Sequence, residues 1–165
     1  MQNDLAADAS GVRDAPGSRQ LLTFTIQDEE YGIDILFVQE IKGFTRITPV
    51  PNAPHFVKGV LNLRGTVVPT IDLRARFRMP ERPYDQFSVV IVVNVGTRVV
   101  GLLVDAVSDV LELQPADVSA TPDIAGGTST CCSAMGRLGD RIVMILDLDL
   151  LLDAVELHEA EGAAA

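Results

Sequence analysis

Two apolar runs on either side of one tight turn constrain the fold of this chain more than any other feature. Residues 59–61 and 66–73 are mostly apolar, and the turn between them reads Asn-Leu-Arg-Gly. This pattern predicts two buried strands that meet in a hairpin. Arg64 is the one charge at the turn, and a guanidinium in that position either pairs with a carboxylate or faces a partner.

Short strands with frequent turns continue along the rest of the chain. Residues 22–26 alternate apolar and polar side chains, which is the period of a half-buried strand. A second hairpin is predicted where residues 87–95 and 98–104 flank a Gly-Thr turn, whereas three prolines exclude a central strand over 48–54. Leucines at helical spacing after Asp147 predict one short C-terminal helix. The predicted fold class is therefore all-β, with barrels or a sandwich built from short strands.

Composition sets the expected domain boundaries. Residues 1–18 are rich in Ala, Asp, Gly and Ser without a hydrophobic period, which predicts a mobile N-terminal tail. Residues 159–165 are predicted to fray at the other end. The folded domain then covers residues 19–158, which is long enough for one core or for two small barrels that share one. A break between the two halves is expected near residues 79–86.

A weak internal repeat favours two related barrels. Positions of the first half recur in the second at an offset of 69 residues, which becomes 75 further along, as an insertion in the loop near Gly126 would produce. Such a repeat predicts that each half carries the same series of strands. The matching positions are Gly32 with Gly101, Val38 with Val107, Glu40 with Asp109, Ile41 with Val110, and residues 71–73 with 146–148.

Net charge and cysteine usage exclude several classes of function. A formal charge of −10 repels phosphate backbones and anionic lipids, so neither nucleic acid nor a membrane surface is an expected partner. The N-terminal residues do not resemble a signal peptide, and no stretch is long enough to insert into a membrane. Cys131 and Cys132 are adjacent, which strains a disulfide, so they predict reduced thiols and a cytoplasmic location.

Candidate catalytic and metal-binding residues are few. His55 and His158 have no Ser, Cys or carboxylate at a spacing that suggests a triad. Two adjacent cysteines and distant histidines do not form a ligand set, so no metal or cofactor is expected. The remaining enzyme hypothesis uses Cys131 or Cys132 as a nucleophile, which requires a cation such as Arg137 to lower the thiol pKa. The alternative is that both cysteines are small buried hydrophobes.

An unusually apolar segment is the best candidate for a binding surface. Residues 33–41 contain more hydrophobic side chains than one strand face can bury, and Glu40 stands among them. Either the strand changes faces at a barrel corner and the whole series is core, or part of it lines a groove for an apolar partner. In the second case Glu40 lies at the polar edge of the groove, where it pairs with Arg64 or with the partner. The repeat offers a second apolar edge at residues 107–111.

Several blocks of the chain, in order and nearly without gaps, are similar to the CheW family of bacterial chemotaxis coupling proteins. The similarity covers roughly residues 20–157, and several blocks in register are more specific than any one of them. The blocks are residues 29–35 (Glu-Glu-Tyr-Gly-Ile-Asp-Ile), 38–41 (Val-Gln-Glu-Ile), 59–60 with 62–65, 68–69 with 71–73, 101–105 with 107–111, and 138–141.

The resemblance implies two five-stranded SH3-like barrels around a common hydrophobic core, without catalysis or cofactor. It also implies an adaptor between the cytoplasmic tips of methyl-accepting chemoreceptors and the regulatory domain of a CheA-type histidine kinase. Receptor helices would lie in a groove between the barrels, and the kinase would dock at barrel ends. The implied groove residues are Val38, Glu40, Ile41, Arg64 and Val110, and the implied kinase contacts are Gly59 and Ile124.

Two alternatives stay open. A CheW-like coupler can serve a chemosensory pathway that controls an output other than swimming, and the sequence does not separate these two roles. The cysteine-dependent enzyme is the alternative from another class. A cytoplasmic protein that is recruited to membrane-associated chemoreceptor arrays is the location that the resemblance implies.

Overall fold

The computed structural model describes residues 17–120 and 131–153 of the chain. Apart from Gly17 and Ser18, the predicted tails lie outside these residues, as does Ile124. The strands are β1 Arg19–Ile26, β2 Glu29–Asp34, β3 Val38–Gly43, β4 Val57–Leu63, β5 Thr66–Asp72, β6 Val89–Val95, β7 Arg98–Val104, β8 Ala106–Leu113, β9 Val118–Ser119, β10 Cys132–Leu138 and β11 Arg141–Leu146. The helical elements are 3₁₀ turns at Ile35–Phe37 and Pro115–Asp117, helix α1 at Leu73–Arg76, and helix α2 over residues 148–153.

The strands form two sheets, which confirms the prediction of an all-β fold with two small SH3-like barrels. The order is β8-β1-β2-β11-β10-β9 in one sheet and β3-β6-β7-β5-β4 in the other. The first sheet has a sixth strand because the two-residue β9 pairs with β10. Both predicted hairpins are present, β4 with β5 and β6 with β7. Arg64 and Gly65, with φ of 51° and 89°, both adopt the left-handed conformation that a two-residue hairpin turn of type I′ requires.

Strand pairing reproduces the internal repeat. Gly32 of β2 lies opposite Ile145 of β11 in a parallel pair. Gly101 of β7 lies opposite Thr70 of β5 in the parallel pair of the other sheet. The two pairs occupy the same positions under the offsets of 69 and 75 residues, so the repeat in the sequence corresponds to a repeat in the backbone register.

Each sheet nevertheless takes strands from both halves of the chain. β3 follows the first hairpin but pairs with β6, and β8 follows the β6–β7 hairpin but pairs with β1. The segment near residues 79–86 is free of strands, yet it joins α1 to β6 within the five-stranded sheet and does not separate the barrels. The sequence pattern marks where strands begin and end but not which strands pair, so this exchange was not predicted.

Apolar side chains form three clusters, one between the sheets and one inside each barrel. The shared core between the sheets draws on both of them and includes Phe24, Tyr31, Ile33, Ile71, Ile91 and Leu102. The interior of the five-stranded barrel contains Leu61, Leu63, Val68, Val90, Val92 and Leu103. The interior of the six-stranded barrel contains Leu21, Leu111, Leu113, Val143 and Ile145.

The three clusters explain why β1 is not the half-buried strand that its alternation predicts. Leu22 and Phe24 face the shared core, while Leu21 and Thr23 on the other face of the strand are also inaccessible. Thr23 is polar but satisfied, because its hydroxyl donates to Oδ1 of Asp109 at 2.6 Å. A strand between two cores is covered on both faces even when its sequence alternates.

The predicted C-terminal helix is present and completes the shared core. Oδ1 of Asp147 accepts a hydrogen bond from the backbone amide of Leu150 at 3.2 Å, as expected for a residue that caps a helix. Leu148, Leu151 and Leu152 pack into the shared core, so the leucine spacing recognised in the sequence marks the buried face of α2.

Candidate functional site

The apolar segment 33–41 divides between core and surface. The 3₁₀ turn at Ile35–Phe37 carries the chain from one sheet to the other, and Asp34 caps it by accepting a hydrogen bond from the amide of Leu36 at 2.9 Å. Most of the segment packs into the shared core. Leu36 is 86% exposed, however, and Ile41 is 45% exposed. Both readings of the segment therefore hold in part, since it forms a barrel corner and also leaves two large apolar side chains at the surface.

A β-bulge places two of the groove candidates on one face of β3. Val38 lies opposite Val93 and Ile41 lies opposite Ile91, with one extra residue in β3 between the two pairs. Directly opposed residues share a face of the sheet, and Val93 and Ile91 both belong to the shared core. Val38 therefore packs against that core, and Ile41 lies on the same face where the core meets solvent.

The equivalent bulge in β8 acts in the same way on Val110. Val110 lies opposite Leu22 and Val107 opposite Phe24, again with one extra residue in the edge strand. Val107 packs against the shared core, and Val110 is 52% exposed. The edge strands β3 and β8 thus present matched side chains to one core, a partly buried valine and an exposed aliphatic residue from each.

The structure brings the two polar candidates, Glu40 and Arg64, into direct contact. Nη2 of Arg64 lies 2.5 Å from Oε2 of Glu40, and Nη1 lies 3.5 Å from Oε1, which is a bidentate arrangement. The hydrogen bond from Arg64 holds the pKa of Glu40 below its usual value. Glu40 immediately precedes the exposed Ile41, so an ion pair lies directly beside the apolar surface.

Gly59 is buried, which gives this kinase-contact candidate a structural role. A Cβ on Gly59 would lie 2.1 Å from the carbonyl oxygen of Thr48, and φ is +152°. Thr48 and Val60 exchange backbone hydrogen bonds of 2.9 and 2.8 Å across this close approach, so only glycine fits. Lys58, next to it, is exposed and lies over the ring of Tyr84. A cleft of about 410 Å³ opens here, lined by Lys58, Asp72, Glu81, Arg82, Pro83 and Tyr84.

One polar cluster escaped the sequence analysis. Arg141 bonds both Asp109 and Glu30, with 3.0 Å between its Nη2 and Oδ1 of Asp109. The match of Glu40 with Asp109 in the repeat was the available clue. The arginine stands two residues later than the repeat predicts, because Gly139 occupies the position equivalent to Arg64.

The described residues offer little support for catalysis. Cys131 and Cys132 are buried, and burial raises the pKa of Cys132 to about 11, which disfavours the nucleophilic thiolate. Arg76 donates to Sγ of Cys131 at 3.2 Å. Within residues 17–120 and 131–153 no three His, Cys, Asp or Glu side chains lie close enough to hold a metal ion. In the same ranges, no helix has both the length and the apolar character needed to span a bilayer.

Fold and site together define a binding module of two strand-exchanged β-barrels, with exposed apolar residues and ion pairs on its edge strands. Comparison with known proteins agrees with this class. Residues 20–156 match the model of the CheW-like domain family. The chain is 45% identical to the chemotaxis protein CheW of Klebsiella aerogenes over 88% of its length and 89% of the relative's. For the CheW of Rhizobium meliloti the identity is 40%, over 87% and 94% of the two chains.

A solved structure shows the same architecture. The crystal structure of the scaffolding protein TtCheW from Thermoanaerobacter tengcongensis superposes with a TM-score of 0.74 at 29% identity, over 78% of this chain and 88% of that one. The chain belongs to the CheW-like family of chemotaxis coupling proteins.

Proposed function

We propose that this chain is a non-catalytic adaptor that couples chemoreceptors to a CheA-type histidine kinase in bacterial chemotaxis. The observation that carries this proposal is the matched pair of edge strands, in which β3 and β8 leave Ile41 and Val110 exposed beside one core. The related proteins support it, since they carry the name chemotaxis protein CheW, and TtCheW is described as a scaffolding protein. The adaptor would work in the cytoplasm, at membrane-associated receptor arrays.

The receptor tip is the partner that suits the surface around Val38, Ile41 and Val110. An amphipathic helix binds by laying an apolar stripe into a hydrophobic groove, and these residues offer branched aliphatic side chains for such a stripe. Glu40 and Arg64 lie beside Ile41 as a polar rim, which provides orientation and specificity more than affinity. Leu36, which is more exposed than any of them, extends the apolar surface at the barrel corner.

The kinase regulatory domain would use a different surface, at the end of a barrel. Gly59 supports this surface from below, and the exposed Lys58 beside it is the side chain that can reach a partner. Ile124 is the other candidate contact for the kinase. Two separate surfaces on one rigid body raise the local concentration of kinase at receptor tips, which is how an adaptor acts without any chemistry of its own.

Binding titrations with matched variants test this function. We expect saturable binding of a chemoreceptor tip fragment and, independently, of the kinase regulatory domain. Ile41→Asp should weaken binding of the receptor tip and leave the kinase titration unchanged. Leu150→Asp is the control, because Leu150 is about as exposed, at 47%, but lies on α2. Absence of both interactions for a folded wild-type protein would refute the proposal.

A further inference from the structure

The internal repeat relates the two exposed groove residues and also the acidic residues that precede them. Ile41 and Val110 are equivalent at the offset of 69 residues, and Glu40 and Asp109 are equivalent at the same offset. Glu40 lies opposite Val92, and Asp109 bonds Thr23, which is the residue equivalent to Val92. Each exposed aliphatic side chain therefore follows an acidic residue in the same backbone setting.

Arg141 completes this second acidic position. Its Nη1 lies 3.2 Å from Oδ2 of Asp109 and its Nη2 lies 3.0 Å from Oδ1, while Nη2 also bonds Glu30. The hydroxyl of Thr23 donates to Oδ1 of Asp109. Glu30, Asp109 and Arg141 are called the Asp109 cluster below.

The charge of the Asp109 cluster distinguishes it from the Glu40–Arg64 pair. One arginine neutralises one carboxylate at Glu40, but one arginine faces two carboxylates in the Asp109 cluster, which leaves a net charge of −1. The hydrogen bonds from Arg141 and Thr23 hold the pKa of Asp109 below its usual value, so the carboxylate stays ionised at neutral pH. The side chain of Asp109 is half-exposed, whereas that of Glu30 is mostly covered. The uncompensated charge therefore meets solvent at Asp109, beside Val110.

We propose that the Asp109 cluster is the second polar rim of the groove and selects a partner helix that carries a lysine or arginine beside its apolar stripe. The inference rests on the proposed function, because it assigns a role within the same groove. The repeat makes the apolar parts of the two sides alike, so shape alone accepts a helix in either direction. The difference in charge between the two rims then fixes the direction, with the basic side chain towards β8.

Two designed helical peptides measure this selectivity directly. Both have the same leucine stripe, and one carries lysine where the other carries glutamate on the flank. We expect the wild-type protein to bind the lysine peptide about fivefold more tightly at low ionic strength, as one exposed ion pair allows. The preference should largely vanish near 0.5 M salt, where the Debye length falls below about 5 Å.

Variants connect the preference to the Asp109 cluster. Asp109→Asn keeps an oxygen for Thr23 and Arg141 but removes the charge, and it should reduce the preference to below about twofold. Glu81→Gln removes an exposed carboxylate from the segment before β6 and should keep the preference. If Asp109→Asn retains the full preference while Ile41→Asp abolishes binding, the role of the Asp109 cluster is wrong and the groove stands. If wild type binds neither these peptides nor a receptor tip, the proposed function fails, and this inference fails with it.

Discussion

Arg64 and Glu40 join the two outer strands of the five-stranded sheet. Glu40 lies on β3, Arg64 lies in the turn that follows β4, and 2.5 Å separates their Nη2 and Oε2 atoms. β3 and β4 are the opposite edges of this sheet, so the ion pair bridges the barrel by side chains. The Arg64 side chain is 70% exposed, and water screens such a pair strongly. The pair therefore shapes a surface more than it stabilises the fold.

Reversal of the charge at Arg64 separates these two roles. We expect Arg64→Glu to unfold cooperatively at nearly the wild-type midpoint, because an exposed pair contributes little to stability. Receptor-dependent control of the kinase should weaken, since Glu40 and the new glutamate repel each other and alter the polar rim. The assay compares phosphorylation by receptor, adaptor and kinase together, with Arg78→Glu as the charge-matched control. Loss of cooperative unfolding in Arg64→Glu would show that the residue is structural.

The buried ion pair between Arg74 and Asp105 has the opposite character. Nε and Nη2 of Arg74 donate to Asp105 at 2.9 and 2.7 Å, and Nη1 donates to the carbonyl of Pro80 at 2.8 Å. Arg74 is only 6% exposed. Arg74→Leu leaves a buried carboxylate without its main partner and should destabilise the domain by about 3–5 kcal/mol in urea unfolding. The double variant Arg74→Leu/Asp105→Leu should lose less, and an equal or greater loss would contradict this account.

Asp105 also predicts how stability depends on pH. Burial raises the pKa of Asp105, but hydrogen bonds from Arg74 and from the amide of Gln27 outweigh it and leave the pKa below its usual value. The folded state then binds this proton less readily than the unfolded state. The stabilisation is complete above the unfolded pKa of about 4 and disappears as the pH falls through the lower folded value. Urea unfolding between pH 7 and pH 2.5 should show a smaller decline for Asp105→Asn than for wild type, and parallel declines would refute the assignment.

Local features of this fold were predictable from sequence because their causes are local. The turn at Arg64 and Gly65 needs left-handed residues between apolar strands, and Asp147 caps a helix whose leucines repeat every three or four positions. The exchange of β3 and β8 between sheets depends on contacts distant in sequence, and no single segment encodes it. Gly59 resembled a surface candidate because the residue that covers it, Thr48, comes from a separate loop.

The candidate site was predictable only in part, for the same reason. Glu40 and Arg64 were open to pairing with each other, and the structure shows that contact. The Asp109 cluster needed three separate strands to meet, and its arginine does not keep the position that the repeat predicts. The bulges that turn Ile41 and Val110 towards one core have no signature in a single sequence.

The two cysteines provide a test against the enzyme alternative. Burial raises the pKa of Cys132 to about 11, which lowers its thiolate fraction at pH 7 by more than a hundredfold relative to free cysteine. Cys131 is inaccessible as well. Labelling with a thiol reagent at pH 7 should therefore be at least about a hundredfold slower than that of free cysteine and should become fast in urea. A folded-state rate above that of free cysteine would support the nucleophile hypothesis.

The most direct test of the adaptor is whether it bridges its two partners. Chemoreceptor tips are immobilised, the kinase regulatory domain is added alone or with this chain, and the retained kinase domain is measured. We predict that the kinase domain is retained in a saturable way only when this chain is present, and that Ile41→Asp removes the retention while Leu150→Asp preserves it. Equal retention with and without the folded wild-type chain would contradict the central claim that this protein couples receptor to kinase.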